Sequence, residues 1–390
     1  MEKVKTISPK RNRNIDLIKG ICIILMVLGH TPFIDYYYGA FMYLFHMAVF
    51  FIASGYLFNG KYTDNVKMLG KFFAKKIKGL WLPFFLFTEG YILLNNLFIQ
   101  MNIYLTSVPS SFDKSLTYST SHFFDIKDII ISIPYTLLMD NATHMGGALW
   151  FFQVLFYVLI LYAVVDYIIK KITKNNVAHL VIQAVISIGL LSFGYYCSHN
   201  NLFTYSFGRV ASVYILIFLG VIINKIDIIN KMRDVKNKWI VNISIFVVII
   251  PIFLFCQKNI GTVGLDKNIY VNPIYYIFIS VTGWFWVLSI SNLMLYMNLK
   301  SNKIIEYISQ RAVSIIALHF LCFKIVTLIG IMVYGLDIRY LAASNELFKD
   351  GLWWLLYAVI GIVVPLILDY IYLKIKGMIV LYLRKKATII

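Results

Sequence analysis

The chain has 390 residues, of which 60% are hydrophobic and only 14% charged, and its mean hydropathy is +0.76. That balance excludes a water-soluble globular domain and fits an all-α, polytopic membrane protein. A formal net charge of +18 would suit a nucleic-acid partner, but the distribution of the cations along the chain argues against one.

Ten apolar segments of spanning length are predicted at about 15–34, 37–58, 79–100, 149–169, 178–197, 207–224, 239–256, 273–298, 312–334 and 352–373. The 101–148 stretch reads as a polar loop, with 129–139 dipping into the interface. If the N-terminus is cytosolic, about three quarters of the 36 Lys and Arg residues fall in inside segments, the positive-inside pattern for an even number of spans with both termini in the cytosol. The charge therefore reads as topology and contact with anionic lipid, in a multi-pass protein of the cell membrane. One integral-membrane domain over 1–390 is expected, with short cytosolic tails at 1–14 and 374–390. Asp16 and Lys19 interrupt the start of the first apolar segment and no small-residue cleavage site follows, so it reads as an uncleaved anchor. Cys22, Cys197, Cys256 and Cys322 lack metal-ligand spacing, and no metal is expected. Tyr36, Tyr37, Tyr38, Trp353 and Trp354 read as interfacial belts.

The first segment carries Asp16 and Lys19 at its cytosolic foot and His30 eleven positions after Lys19, roughly 16 Å along a helix. That rise places an imidazole about halfway through the hydrocarbon, where ionisable groups are costly and tend to mark sites. The second segment brings His46 to a depth His30 can reach, and places Ser54 and Gly55 toward the cytosol, where small residues admit either a neighbouring backbone or a ligand. Lys71, Lys75 and Lys78 recur at helical spacing before Pro83. This stripe suits either a juxtamembrane anchor or the docking of a phosphorylated cosubstrate. Glu89 follows about ten residues into its span, roughly 15 Å deep.

With those residues on the page, the chain resembles the membrane-bound acyltransferase 3 family, O-acyltransferases that modify cell-surface sugars. Lys19 and His30 match its basic-x10-His signature. Phe45-His46-Met47 followed by Phe50-Phe51-Ile52-Ala53-Ser54-Gly55 is similar to its FHMP…FF..SG segment. The stripe ending in Leu82-Pro83-Phe84 resembles its basic RxxR-and-proline stretch. Leu149-Trp150-Phe151-Phe152 resembles the start of a middle span, and Ser314 to His319 resembles its C-terminal histidine segment. Lys19 stands where arginine is commoner, Ala48 where proline often follows, and Lys75 and Lys78 replace arginines. The extracytoplasmic domain fused to some relatives is not expected.

The resemblance implies transfer of an acyl group, most often acetyl from acetyl-coenzyme A, to a hydroxyl of a cell-surface polysaccharide or lipid-linked sugar. Acyl-coenzyme A is then a cosubstrate, and no permanently bound cofactor is expected. The expected base is His30, because imidazole titrates near neutral pH, with His46 nearby and Glu89 as its carboxylate partner. Arg13, Asp16, Lys19, Ser54, Lys75 and Lys78 are expected at the donor site. His319, Trp150, Lys324, Arg209 and His144 are expected on the acceptor side. Lys324 reads as an acceptor contact or an ion-pair member and Arg209 as a grip on an anionic sugar or a structural cap. Five residues turn a helix by about 140° beyond one revolution, so His319 and Lys324 do not share a face. The rival reading is a proton-coupled exporter of a polysaccharide or small anion, which intramembrane His, Lys and Glu would also suit.

Overall fold

Asn12 caps the first helix by accepting from the backbone N–H groups of Asn14 and Ile15, and Asp16 lies in the first turn, where the helix dipole favours negative charge. Most of the 17 residues of α1 (Arg13–Gly29) are buried. The helix stops because Thr31 precedes Pro32, and a residue before proline is pushed out of helical geometry. A short 3-10 turn, Pro32–Asp35, follows. The computed structural model of the chain describes residues 12–35, 39–140, 143–200, 202, 207–344 and 347–387. Most of the expected N-terminal tail, Tyr36, Tyr37, Tyr38 and residues 388–390 lie outside the described residues.

Three of the expected spans are shorter or broken. The segment expected at 15–34 is α1 alone. The segment expected at 37–58 is a 3-10 turn, Gly39–Leu44, leading into α2 (His46–Tyr56). The segment expected at 79–100 is preceded by α3 (Val66–Lys76), continues through a π-turn at Ile77–Trp81 into α4 (Leu82–Leu93), then breaks before α5 (Asn95–Gln100). Pro83 has no N–H to give the carbonyl of Gly79, which explains the wide turn at that point.

The polar stretch contains α6 (Ile126–Leu137), capped by Asp125 and Asp128 in reciprocal bonds. It is followed by α7 (Trp150–Ile172), α8 (Asn176–His199), α9 (Phe207–Lys225), α10 (Ile228–Asp234), α11 (Lys238–Asn259), α12 (Pro273–Tyr296), α13 (Ser301–Gln310), α14 (Ala312–Tyr334) and α15 (Trp353–Ala387). The last runs on through the expected tail at 374. Among the described residues seven helices, α7, α8, α9, α11, α12, α14 and α15, are long and apolar enough to cross a membrane. Isolated β-bridges, with no strand among the described residues, accompany them.

The short helices are held by close approaches and buried polar groups. A Cβ added at Gly55 would lie 2.1 Å from the carbonyl oxygen of Ile217 on α9, and one at Gly220 would lie 2.0 Å from that of Ile52. The two backbones therefore touch, as small residues allow in membrane helices. Asn14 donates to Asn292 at 2.7 Å and Ser291 at 3.2 Å, and Asn292 passes the chain on to Asn242 at 2.9 Å. This buried amide line ties α1 to α12 and α11.

Candidate active site

On α1, Lys19, Ile23, Met26 and His30 stand at i, i+4, i+7 and i+11. Eleven steps of 100° return to within about 20° of the starting direction, so the four form one stripe. His30 is the C-cap of the helix, so it sits where α1 ends against the turns that lead to α2. The end of α1 is pinned by Tyr43, whose hydroxyl donates to the carbonyl of Gly29.

His30 stacks on His319 of α14, ring centroids 5.3 Å apart and planes at 29°, and packs against Phe320 at 4.8 Å. Nδ1 of His319 lies 2.9 Å from the carbonyl of Ile315 and so carries the proton; Nε2 keeps its lone pair. That Nε2 is buried with no hydrogen-bond partner among the described residues. His46, in the first turn of α2, is fixed the same way by the carbonyl of Met42 at 2.7 Å, which leaves Nε2 as an acceptor. Tyr43 packs edge-on against its ring at 5.4 Å.

His30, Tyr43 and His46 line a cavity of about 390 Å³ together with Ile23, Met26, Trp150 and Phe320, a size suited to a small reacting group, and His319 backs the ring of His30. Its far rim is the loop between α11 and α12, where Val263, Leu265 and Asp266 line it. Arg209, buried on α9, positions that rim. It donates to the carbonyl of Asp266 at 3.0 Å and to Oε1 of Gln153 at 3.1 Å, and its guanidinium lies 5.6 Å from the centroid of Trp150.

At the foot of the α1 stripe the cations gather. Burial and the neighbouring ammonium groups of Lys75 and Lys19 push the Lys76 amine down to about 8. Lys76 lies over the ring of Phe72 at 5.0 Å and Lys75 over that of Tyr62 at 5.6 Å. Lys78 is exposed on the π-turn. Lys76 was passed over in the sequence because it falls off the i, i+4, i+7 stripe; only a count of neighbouring charge would have raised it.

The remaining expected residues are placed elsewhere. Glu89 is not among the residues lining the cavity; its Oε1 is buried on α4 with no hydrogen-bond partner among the described residues. Lys324 donates to the carbonyl of Ala343 at 2.8 Å, tying α14 to the segment after it. The hydroxyl of Ser54 bonds back to Phe50 within α2, and the neighbouring Gly55 meets α9. Arg13 pairs with Glu306 of α13 at 2.8 Å, and Asp16 is buried near the same end of α1. His144 lies in a separate outer-loop cleft and donates to the carbonyl of Thr120 at 3.1 Å. His179, near the start of α8, lies 2.8 Å from the buried carboxylate of Asp166. Among the described residues no group of His, Cys, Asp and Glu is placed to hold a metal ion.

Residues 12–370 match the family model described as an acyltransferase domain. The chain belongs to the acyltransferase 3 family. No curated protein and no solved structure matches it. The family and the seven apolar helices together make the protein a multi-pass membrane acyltransferase, and both members of the basic-x10-His pair fall inside the matched region. For an acyltransferase the cavity offers two imidazoles, His30 from the end of α1 and His46 from the first turn of α2, with His319 of α14 stacked on the first. Convergence of that kind cannot arise from the hydrophobic packing of any one helix.

Proposed function

We propose that the protein transfers an acyl group, acetyl from acetyl-coenzyme A being the favoured donor, to a hydroxyl of a cell-surface polysaccharide or lipid-linked sugar, with His30 as general base. The reading takes ten spans in the cell membrane, the seven apolar helices joined by α1, α2 and the α3–α4 helix, with both termini cytosolic. The observation that carries it is the α1 stripe. A cluster of ammonium groups stands at one end, and an imidazole stacked on a second imidazole stands roughly 16 Å away at the other.

Lys19, Lys75 and Lys76 attract the phosphates of the donor, with Lys78, Arg13, Asp16 and Ser54 as outer members of that region. An extended pantetheine arm then follows Ile23 and Met26 and brings the thioester to His30. His319 keeps the ring of His30 in plane, a role assigned to it here in preference to Glu89. Oxygen of the acceptor hydroxyl attacks the thioester carbonyl carbon while His30 takes the hydroxyl proton. The carbonyl electron pair moves onto oxygen, and the oxyanion faces the first turn of α2. No side chain caps that turn, and the dipole there is positive. Collapse breaks the C–S bond, and the departing thiolate receives the proton from His30. One C–O bond has formed, one C–S bond has broken, and the proton has passed from hydroxyl to thiol. The fixed lone pair of His46 suits it to orient a second hydroxyl of the acceptor. Trp150, held by Arg209, forms the opposite wall.

The test uses purified protein in vesicles with radiolabelled acetyl-coenzyme A and the envelope glycan of the cells that make it. Wild type transfers label to sugar hydroxyls, and His30→Ala lowers the rate about 100-fold or more. Equal transfer by the variant would remove His30 from the chemistry. Absence of transfer by the wild type would sink the donor assignment.

A further inference from the structure

The 101–148 excursion contains a second cavity, of about 530 Å³, walled by α6, α4 and the 120–124 and 143–144 segments. We propose that this cleft is the subsite that holds the sugar units of the acceptor, as neutral hydroxyl-bearing rings, next to the transfer cavity. The inference rests on the acyl-transfer reading above and names where its acceptor binds.

The chemistry of the walls favours a sugar over a phosphate. Tyr135, exposed, offers a ring face for the C–H face of a pyranose, with Tyr91 and Tyr104 buried in the wall behind it, and Asp140 and Asp128 offer carboxylates that accept from hydroxyls. No Lys or Arg is among the described lining residues, so the anionic donor would be repelled here and attracted at the foot of α1.

The cleft is also built before any ligand arrives. Asn95, itself buried, donates to the carbonyl of His122 at 2.8 Å and accepts from Ser121 at 2.7 Å. Asn96 forms a reciprocal pair with the backbone of Phe124, at 2.9 and 2.7 Å. His144 closes the far side on Thr120. A ligand meeting a fixed wall loses less affinity to the ordering of loops.

Its position relative to the reaction is the third strand of the argument. Thr143 and His144 line the cleft while Gly147 and Ala148 line the transfer cavity, and four residues of chain span at most about 14 Å. Tyr91, a cleft residue, donates to the carbonyl of Ala317 at 2.5 Å, and Ala317 follows Ile316, which lines the transfer cavity. The partition is therefore one strap of chain and one turn of α14. On its other side α6 exposes Ile126, Ile130, Ile133 and Leu137, one apolar face at i, i+4, i+7 and i+11. α6 runs alongside α4, the carbonyl of Leu137 accepting from the indole N–H of Trp81 at 2.9 Å, so its apolar face is turned to lipid while the cleft lies beside Tyr91, Ile92 and Asn95, at the end of α4 far from Trp81.

The experiment places a cysteine in the cleft, Ser132→Cys, where the four native cysteines are buried and give little background. Labelling by a membrane-impermeant maleimide is followed with two probes prepared from the cells that make the protein, the water-soluble envelope glycan and the butanol-extracted lipid-linked sugars. At least fivefold slower labelling with one of them supports the subsite and tells polymer from lipid-linked acceptor. Unchanged labelling with both overturns it. Separately, Tyr135→Ala and Asp140→Asn raise the acceptor KM at least tenfold while the KM for acetyl-coenzyme A stays within twofold, and Tyr135→Phe recovers most of the loss. An acceptor KM within twofold of wild type in both variants overturns the subsite even if transfer continues. Protection without transfer in the wild type strikes the acyl-transfer reading and leaves the subsite supported.

Discussion

Residues 13–100 and residues 150–380 house their backbone polar groups by different means. The C-terminal region uses long single helices, and several of them turn an apolar side outward, as Val177 on α8, Ile240 on α11 and Ile274 on α12 do. The N-terminal region uses short pieces: a helix of 17 residues, another of 11 behind a 3-10 turn, and a helix with a π-turn. Irregular backbone is tolerated in apolar surroundings only where other protein walls it in, and α1 and α2 are largely buried. The difference teaches where chemistry is affordable. The outer helices supply the wall, and the broken elements behind it aim His30 and His46 from helix ends into a cavity.

The contrast breaks most visibly at the α2–α9 contact. A Cβ on Gly55 would overlap the backbone oxygen of Ile217, which no rotamer change relieves. Gly55→Val therefore costs about 3 kcal/mol or more, read as a lower midpoint in thermal unfolding of the detergent-solubilised protein. Val177→Ala on the outward side of α8 stays within about 0.5 kcal/mol. Equal midpoints for the two variants would mean that the enclosed helices are no more tightly constrained than the outer ones.

A smaller effect is expected at the amide line. Asn14→Ala strands the Oδ1 of Asn292, and an unsatisfied buried acceptor costs about 1–3 kcal/mol. Adding Asn292→Leu removes that acceptor but strands the Oδ1 of Asn242 in its place, so the double variant loses less than the sum of the two single losses, as measured by the same unfolding midpoint. A double variant worse than the sum of its parts would show that the line is not the unit that binds α1 to α12.

The same contrast explains what could be read from the sequence. The long helices α7, α8, α9, α11, α12 and α14 were legible to within a few residues because apolar length alone decides such a span, whereas the short polar helices α10 and α13 fell in segments read as inside loops. The 11-residue interval from Lys19 to His30 was legible as one helical stripe because only α1 is involved. The early termination of α1 was written in Pro32, but a hydropathy window does not weigh one proline against its apolar neighbours. His319 could be named but not seated on His30, since 289 positions separate them and only packing brings α14 to the end of α1. Gly55 was ambiguous for the same reason. A small residue invites a ligand or a backbone equally, and the backbone of Ile217 is supplied by a helix far along the chain. Glu89 was matched to His30 on depth, but depth does not fix the direction in which a side chain leaves its helix.

The smallest expected effect sharpens the comparison at the membrane surface, where the N-terminal region gathers cations that the outer helices do not need. Lys76 is held down to about 8 by burial first and then by Lys75 and Lys19. Its ammonium is therefore charged below that pH and progressively lost above it. If Lys76 contributes to donor binding, the KM for acetyl-coenzyme A is lowest below pH 8 and rises about threefold as pH passes through 8 to 9, the magnitude of one partly screened charge contact. Lys76→Gln shows the raised KM at every pH. Lys76→Arg flattens the profile, because a guanidinium keeps its charge throughout. A wild-type KM that is flat from pH 7 to 9, with Lys76→Gln indistinguishable from it, would reduce the cluster to a membrane anchor. In that case the end of the α1 stripe would hold the protein at the lipid surface rather than hold the donor.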